Sequence, residues 1–450
     1  MNTRSLFLAA FFLLAGVMIM LMPQHAEAQR RSIHTNVHDG DVHYKWMNNG
    51  DLLEVRFKGD VTFTVDDAAV ESISQDGLLK VEERKGGMRR TLEVRPASDG
   101  TPRYTYKVDG DTRAYDAGTR AEVAELILMV IRNTGIGADQ RVARILAQEG
   151  LDGVFREIKQ IDSGSAKRRY FIALVEQGDL NTDGLRRVAE EVTREISSGG
   201  DRARFLRQAA AYYLESGQAH AAYFDAVNSI PSPGDHARVL THVLDEHDPD
   251  REALIALLRS ARRLTSSGDK ARVLKKATAS YENDPEVRTA FFDAVDSIPS
   301  SGDQMRVVKA LLTNADLDSA SITALFRSAK GIASSGDKAR LLTDAAPHFI
   351  NDDAQRTAFF DAVNTIPSPG DHTRVLLNLL REQRLDKASM LGVLASAETI
   401  TASGDKARVL IAAAPAVASD DDLVEAYLAA AETIASPGDH SRALSALVQQ

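Results

Sequence analysis

Cysteine is absent from the 450-residue chain. That removes disulfides, thiolate nucleophiles, cysteine-ligated zinc and iron–sulfur clusters, and lipidation of an N-terminal cysteine. Positive charge is in deficit, with 54 lysines and arginines against 64 acids and a net charge of -10. This argues against phosphate-backbone binding as the main activity, because such binding needs a concentrated positive field. Three chemical signatures are also missing: a Gly-x-Ser-x-Gly elbow, a phosphate-cradling loop ending in Gly-Lys, and a dinucleotide fingerprint. Beyond Met22 no apolar run approaches the ~20 residues of a membrane span. What is present suits packed domains. Hydrophobic residues make up 44% and charged residues 26% of a chain long enough for two or three of them.

Arg4 precedes an unbroken apolar run of 17 residues, Leu6 to Met22, and Ala26-Glu27-Ala28 follows as a small-x-small cleavage site. This is the layout of a secretory signal peptide over residues 1–28; an uncleaved N-terminal anchor is the other reading. The mature chain is then expected to be secreted or periplasmic, in a bacterial cell envelope, with no membrane span after cleavage. Residues 29–40 read as a linker. His34, His38, Asp39, Asp41 and His43 crowd around its end. They suit either a divalent metal or a plain polar segment.

From 41 to 118 the pattern has period two. Leu53, Val55 and Phe57 alternate with Glu54, Arg56 and Lys58, and Leu79 and Val81, Leu92 and Val94, then Tyr104 and Tyr106 continue it. One apolar and one charged face mean strands covered on one side only. Asn49-Gly50, Gly86-Gly87, Asp99-Gly100 and Asp109-Gly110 supply the turns. The expectation is a small antiparallel β-rich head of five or six strands. A helix from about Ala121 to Arg132 should cover its open face.

Internal repetition is the strongest signal. Gly-Asp recurs at Gly200, Gly234, Gly268, Gly302, Gly336, Gly370, Gly404 and Gly438, always 34 residues apart. Four residues after each glycine stands an arginine: Arg204, Arg238, Arg272, Arg306, Arg340, Arg374, Arg408 and Arg442. Each unit reads as helix, turn, helix. The glycine is expected to stop the first helix in a left-handed conformation, and the aspartate to cap the second. A hairpin of this kind cannot bury its own apolar stripe, so the units should stack as a HEAT-like α-solenoid of eight repeats over 183–450. Residues 119–182 read as a helical cap with degenerate first repeats. A period of 68 lies over the first: Phe291-Phe292-Asp293-Ala294-Val295 returns as Phe359-Phe360-Asp361-Ala362-Val363, and Pro-Gly-Asp-His units mostly alternate with Ser-Gly-Asp-Lys units. The fold class is therefore α+β and multidomain.

Gly77-Leu78-Leu79-Lys80-Val81-Glu82-Glu83-Arg84, and Arg141-Val142-Ala143-Arg144-Ile145-Leu146 with Gly150 to Ile158 behind it, carry a resemblance. Over the head and first helices the chain resembles the extracytoplasmic, non-peptidase C-terminal regions of β-lactam-sensor-type membrane metallopeptidases and their secreted relatives. The peptidase half, with its His-Glu-x-x-His helix, is missing. The resemblance implies a sensory or binding module and no proteolysis.

Ser267-Gly268-Asp269-Lys270 matches the Ser-x-x-Lys of penicillin-recognising enzymes, yet it recurs at Ser335 and Ser403. A nucleophile repeated at a fixed interval is a repeat turn, and the same holds for His236, His372 and His440. Asp179, Asn181, Asp183 and Glu190, with Gly184 at the sixth place, satisfy the calcium-loop pattern. The repeat register instead makes Asn181 to Asp183 a helix cap. The eight arginines form a row that either pairs with aspartates of its own or the next unit, or binds an acidic partner. The series Tyr223, Phe291, Phe359 and Tyr427 falls on the buried stripe. The expected function is an exported, non-enzymatic binding or scaffold protein, without a cofactor other than the possible calcium. It would recognise a protein or peptide and no nucleic acid. A ligand-sensing accessory module of an envelope signalling or peptidase system is the alternative.

Overall fold

A computed structural model of the protein describes residues 31–38, 41–48, 50–215, 217, 219–349, 352–382 and 384–450. The segment read as a signal peptide lies outside the described residues, as does Asp39 of the metal expectation. The chain divides into two compact units: residues up to Arg141 with Gln160–Ala166, and Val142–Lys159 with Lys167–Gln450.

The first unit is built on antiparallel strands. These are β1 (Arg31–His38), β2 (Asp41–Asn48), β3 (Asp51–Lys58), β4 (Val61–Phe63), β5 (Val70–Ile73), β6 (Leu78–Lys85), β7 (Met88–Pro96), β8 (Pro102–Val108) and β9 (Asp111–Arg113). Seven form one sheet in the order β1-β2-β3-β6-β7-β8-β9, and β4 and β5 pair separately. Period-two alternation places Leu53, Val55, Phe57, Leu79, Val81, Leu92, Val94 and Tyr106 on one face, all buried. Helix α1 (Ala117–Thr134) closes that face with Val123, Leu126, Ile127, Val130 and Ile131, as its apolar stripe predicts. Asp116 caps α1, accepting from the Thr119 amide at 3.0 Å. The span read as a linker holds β1, which pairs with β2 along its whole length. Of its residues, Arg31-Ser32-Ile33-His34-Thr35-Asn36-Val37-His38, only Ile33 and Val37 are apolar, too few to mark a face. Backbone ladder bonds make this strand, and hydrophobic periodicity does not report them.

The second unit is helical. After the first helices, eight pairs follow. The lead helices are Thr182–Glu195, His220–Asn228, Arg251–Arg262, Pro285–Asp296, Ser319–Lys330, Asp353–Val363, Lys387–Glu398 and Asp421–Glu432. The return helices are Gly199–Gln208, Pro233–Glu246, Ser267–Ala277, Ser301–Asn314, Ser335–Ala345, Pro369–Glu382, Ser403–Val417 and Pro437–Val448. Each lead helix packs on the next lead helix and each return helix on the next return helix. The 34-residue period is thus a period of helix packing. Tyr223, Phe291, Phe359 and Tyr427 are fully buried between the helices.

The Gly-Asp turn differs from the expectation. None of the eight glycines has positive φ. Each is already inside the return helix, which starts one residue earlier. The cap is the serine before it. Ser334, for example, is extended at ψ 118 and accepts from the Asp337 amide at 3.3 Å. Ser198, Ser232, Ser266, Ser300 and Ser436 do the same, while Ala402 leaves one repeat without a side-chain cap. Pro233, Pro369 and Pro437 occupy first-turn positions, where the missing N–H costs nothing. Lead helices end in right-handed geometry, as at Arg263 and Thr399, or extended at Ile196 in the first, so no left-handed glycine is needed.

Candidate functional site

The eight arginines resolve first. Every one pairs with the aspartate three residues before it in its own unit, from Arg204–Asp201 through Arg340–Asp337 to Arg442–Asp439. At this spacing two helical side chains are neighbours, so no adjacent unit is required. The arginines are exposed, and such pairs stabilise by only ~0.3–0.5 kcal/mol.

The calcium candidates do not converge. The lead helix of the first repeat already starts at Thr182, and Asn181 caps it through the Gly184 amide at 2.9 Å. Asp183 and Glu190 stand one and two turns along that helix, both paired with Arg186. Asp179 is in the preceding loop at φ 40. Among the described residues no group of three or more His, Asp or Glu is placed to hold a metal. His43 of the other metal expectation lies on β2, 3.0 Å from Glu54.

The residue after each Gly-Asp carries the largest surprise. Arg202, His236, Lys270, Gln304, Lys338, His372 and Lys406 are all buried. Period and motif pointed to this position, but a charged or polar letter there reads as solvent-facing. In the odd repeats it is a cation that joins two lead helices at their C-terminal ends. Lys338 Nζ donates to the Lys330 carbonyl of its own repeat at 3.0 Å and to Thr365 Oγ1 of the next at 2.6 Å. Lys406 reaches the Glu398 carbonyl and Thr433, Lys270 reaches Ser297, and Arg202 reaches Ile196, Thr193 and Ser229. Helix C-termini leave carbonyls unpaired and carry partial negative charge, so a buried cation suits them twice over. Burial pushes the ammonium groups of Lys270, Lys338 and Lys406 down from their ordinary value.

In the even repeats the joint is a side-chain network without a cation. His236 Nε2 lies 2.8 Å from Ser260 Oγ, which donates to Asn228 Oδ1 at 2.7 Å. His372, Ser396 and Asn364 repeat this arrangement, whereas in the fourth repeat Gln304 and Ser328 both donate to the Asp296 carboxylate. The serine proton is committed to the asparagine, so the imidazole donates to the serine and does not act as its base. Ser260 and His236 are also closed to solvent. These pairs are joints, not nucleophile–base sets. Burial, with the nearby Arg263 charge for His236, holds the two imidazoles down at about 4.

Two of the concavities have apolar side chains in their lining beside charged ones. A groove of ≈ 500 Å³ runs between the first two lead helices, floored by Ala189, Ala221, Ala222 and Ala226 and edged by Arg186, Glu190, Arg194 and Asp225. Within the first unit, a cleft of ≈ 300 Å³ is lined by Trp46, Leu52, Leu53, Leu128 and Met129, with Glu83, Arg84 and Lys85 at its side. No protein-family model, curated protein or solved structure matches the chain. The resemblance to metallopeptidase sensor regions rests on its sequence motifs alone. No helix among the described residues is long and apolar enough to cross a membrane.

Proposed function

We propose that this is an exported, non-enzymatic binding or scaffold protein whose eight helix pairs stack as a HEAT-like α-solenoid. It would recognise a protein or peptide segment along its lead helices. The groove between the first two lead helices carries this reading. The second lead helix is short and turns Ala221 and Ala222 outward beside Asp225, so the groove floor is small and apolar with both charge signs on its rim. A peptide docks in such a channel by burying apolar side chains and pairing its charges at the edge. The buried serine–histidine pairs are spent on joints, which supports a binding role over a catalytic one. The alternative, a ligand-sensing accessory module, draws support from the cleft beside Trp46.

The test compares the mature chain with an Ala221→Trp, Ala222→Trp variant in cross-linking pulldowns from envelope extract. Loss of the captured proteins in the filled variant supports the reading. Recovery of the same proteins by both chains, or their capture by the first unit's cleft alone, overturns it.

A further inference from the structure

The solvent face of the sheet holds a concentration of positive charge that the chain's net charge conceals. Register sets it out. His43, Arg56 and Lys80 lie side by side across β2, β3 and β6, with Glu93 and Thr105 continuing the row on β7 and β8. The next row is Lys45, Glu54, Glu82, Thr91 and Lys107. Beyond these, Arg84 faces Arg89, Arg95 faces Arg103, and Lys58 faces Leu78. The face thus carries nine lysines and arginines against three glutamates.

The glutamates are already engaged. Glu54 holds His43, Lys45 and Arg56, Glu82 holds Arg84 and Arg89, and Glu93 holds Arg95. These cations draw the Glu54 and Glu82 carboxyls below their ordinary value against the opposing effect of burial. Among the described residues Lys58, Lys80, Arg103 and Lys107 have no carboxylate partner, and all four are exposed. Lys80 and Lys107 flank a shallow concavity of ≈ 460 Å³ that also takes in Thr91 and Thr105.

We infer that this face binds a linear polyanion with a non-aromatic backbone, an acidic polysaccharide bearing carboxylates or sulfates. Strands lie about 4.8 Å apart and alternate residues along one strand about 6.8 Å apart, so the free cations form a grid rather than one pocket. A grid suits a ligand with repeating charge, whose counterions are released on contact. Threonine hydroxyls between the cations match sugar hydroxyls and acid oxygens. No Phe, Tyr or Trp among the described residues points to this face, so it offers no stacking platform for unpaired bases.

The probe is heparin, with polygalacturonate as a carboxylate-only glycan, a dT oligonucleotide, and vesicles of phosphatidylglycerol as competitors. The full mature chain should be retained on immobilised heparin at low salt and released as salt rises. Lys80→Glu with Lys107→Glu should weaken heparin binding by about tenfold or more, with unchanged circular dichroism. Arg272→Glu with Arg306→Glu, on the repeats, should leave it unchanged. Equal retention of the sheet variant, no retention of the parent chain, or tighter binding to the oligonucleotide or the vesicles than to either glycan would overturn the inference.

Discussion

The two units solve the same burial problem in opposite ways. In the sheet unit, ladder bonds satisfy the backbone, so the core between sheet and α1 is built from apolar side chains, and its few buried charges are paired, Glu83 with Arg90 and Asp67 with Arg141. In the repeats, every helix end leaves carbonyls that no ladder satisfies, and the joints bring polar side chains inside to meet them. In the repeats, buried polarity gathers at helix ends. The joints alternate between a cation and a network without one, in step with the 68-residue period.

Acid should break the comparison most strongly. His236 and His372 are held at about 4 in the folded chain, against an unfolded value near 6.5. Between these values the unfolded chain binds more protons, so stability is full above pH ~6.5 and falls as pH drops toward 4. The loss is on the order of 3 kcal/mol per histidine. Denaturant titrations at pH 7 and 4.5 should show it, and His236→Gln with His372→Gln should remove most of it. An unchanged slope in that variant would place the acid sensitivity outside the joints.

Deleting repeats sharpens the contrast between joints. Removing Gly268 to Ser301 takes out 34 residues and sets Gln304 behind the helix ending at Arg262, so Ser328 loses its acceptor Asp296. Removing Gly268 to Ser335 takes out 68 and puts Lys338 where Lys270 stood. Both should keep helical circular dichroism, with the shorter deletion less stable by on the order of 3 kcal/mol. Equal midpoints would mean the joints are interchangeable.

Single substitutions separate the two joint types. Lys338→Met strands the Lys330 carbonyl and removes the donor to Thr365 Oγ1, which keeps its own bond to the Ala362 carbonyl, and should cost about 2 kcal/mol in chemical denaturation. His372→Gln at pH 7 should stay within about 1 kcal/mol, because glutamine fills the same position at Gln304.

The turn should give the smallest changes. Ser334→Ala removes the cap and should cost about 0.5–2 kcal/mol. Gly336→Ala should stabilise by about 0.4–1 kcal/mol, since its φ is not positive and an added Cβ meets nothing within 4 Å. Destabilisation there, read in the same denaturation experiment, would restore glycine as the turn-forming residue.

Much of this was legible because it is local. Alternation from Leu53 to Tyr106 drew the sheet's core face, and the stripe from Val123 to Ile131 drew the helix that covers it. The arginine–aspartate pairing needs only neighbours three apart on one helix. Cap placement erred by a few residues because serine and aspartate are both good caps, and only the backbone shows where the helix starts. Strand β1 was missed because only Ile33 and Val37 of its eight residues are apolar, so neither face stands out.

Sequence alone determined the period, the element types and the faces that seek burial, since spacing along a chain sets which side chains share a side. Tertiary structure decided what the polar letters do. Lys338 and Arg340 stand two residues apart in one helix, yet one is buried across two lead helices and the other pairs in solvent. The cations of β3, β6, β7 and β8 are ordinary surface residues strand by strand and become one charged face only in register. Burial and shared charge are properties of neighbours that folding brings together, and sequence distance does not encode them.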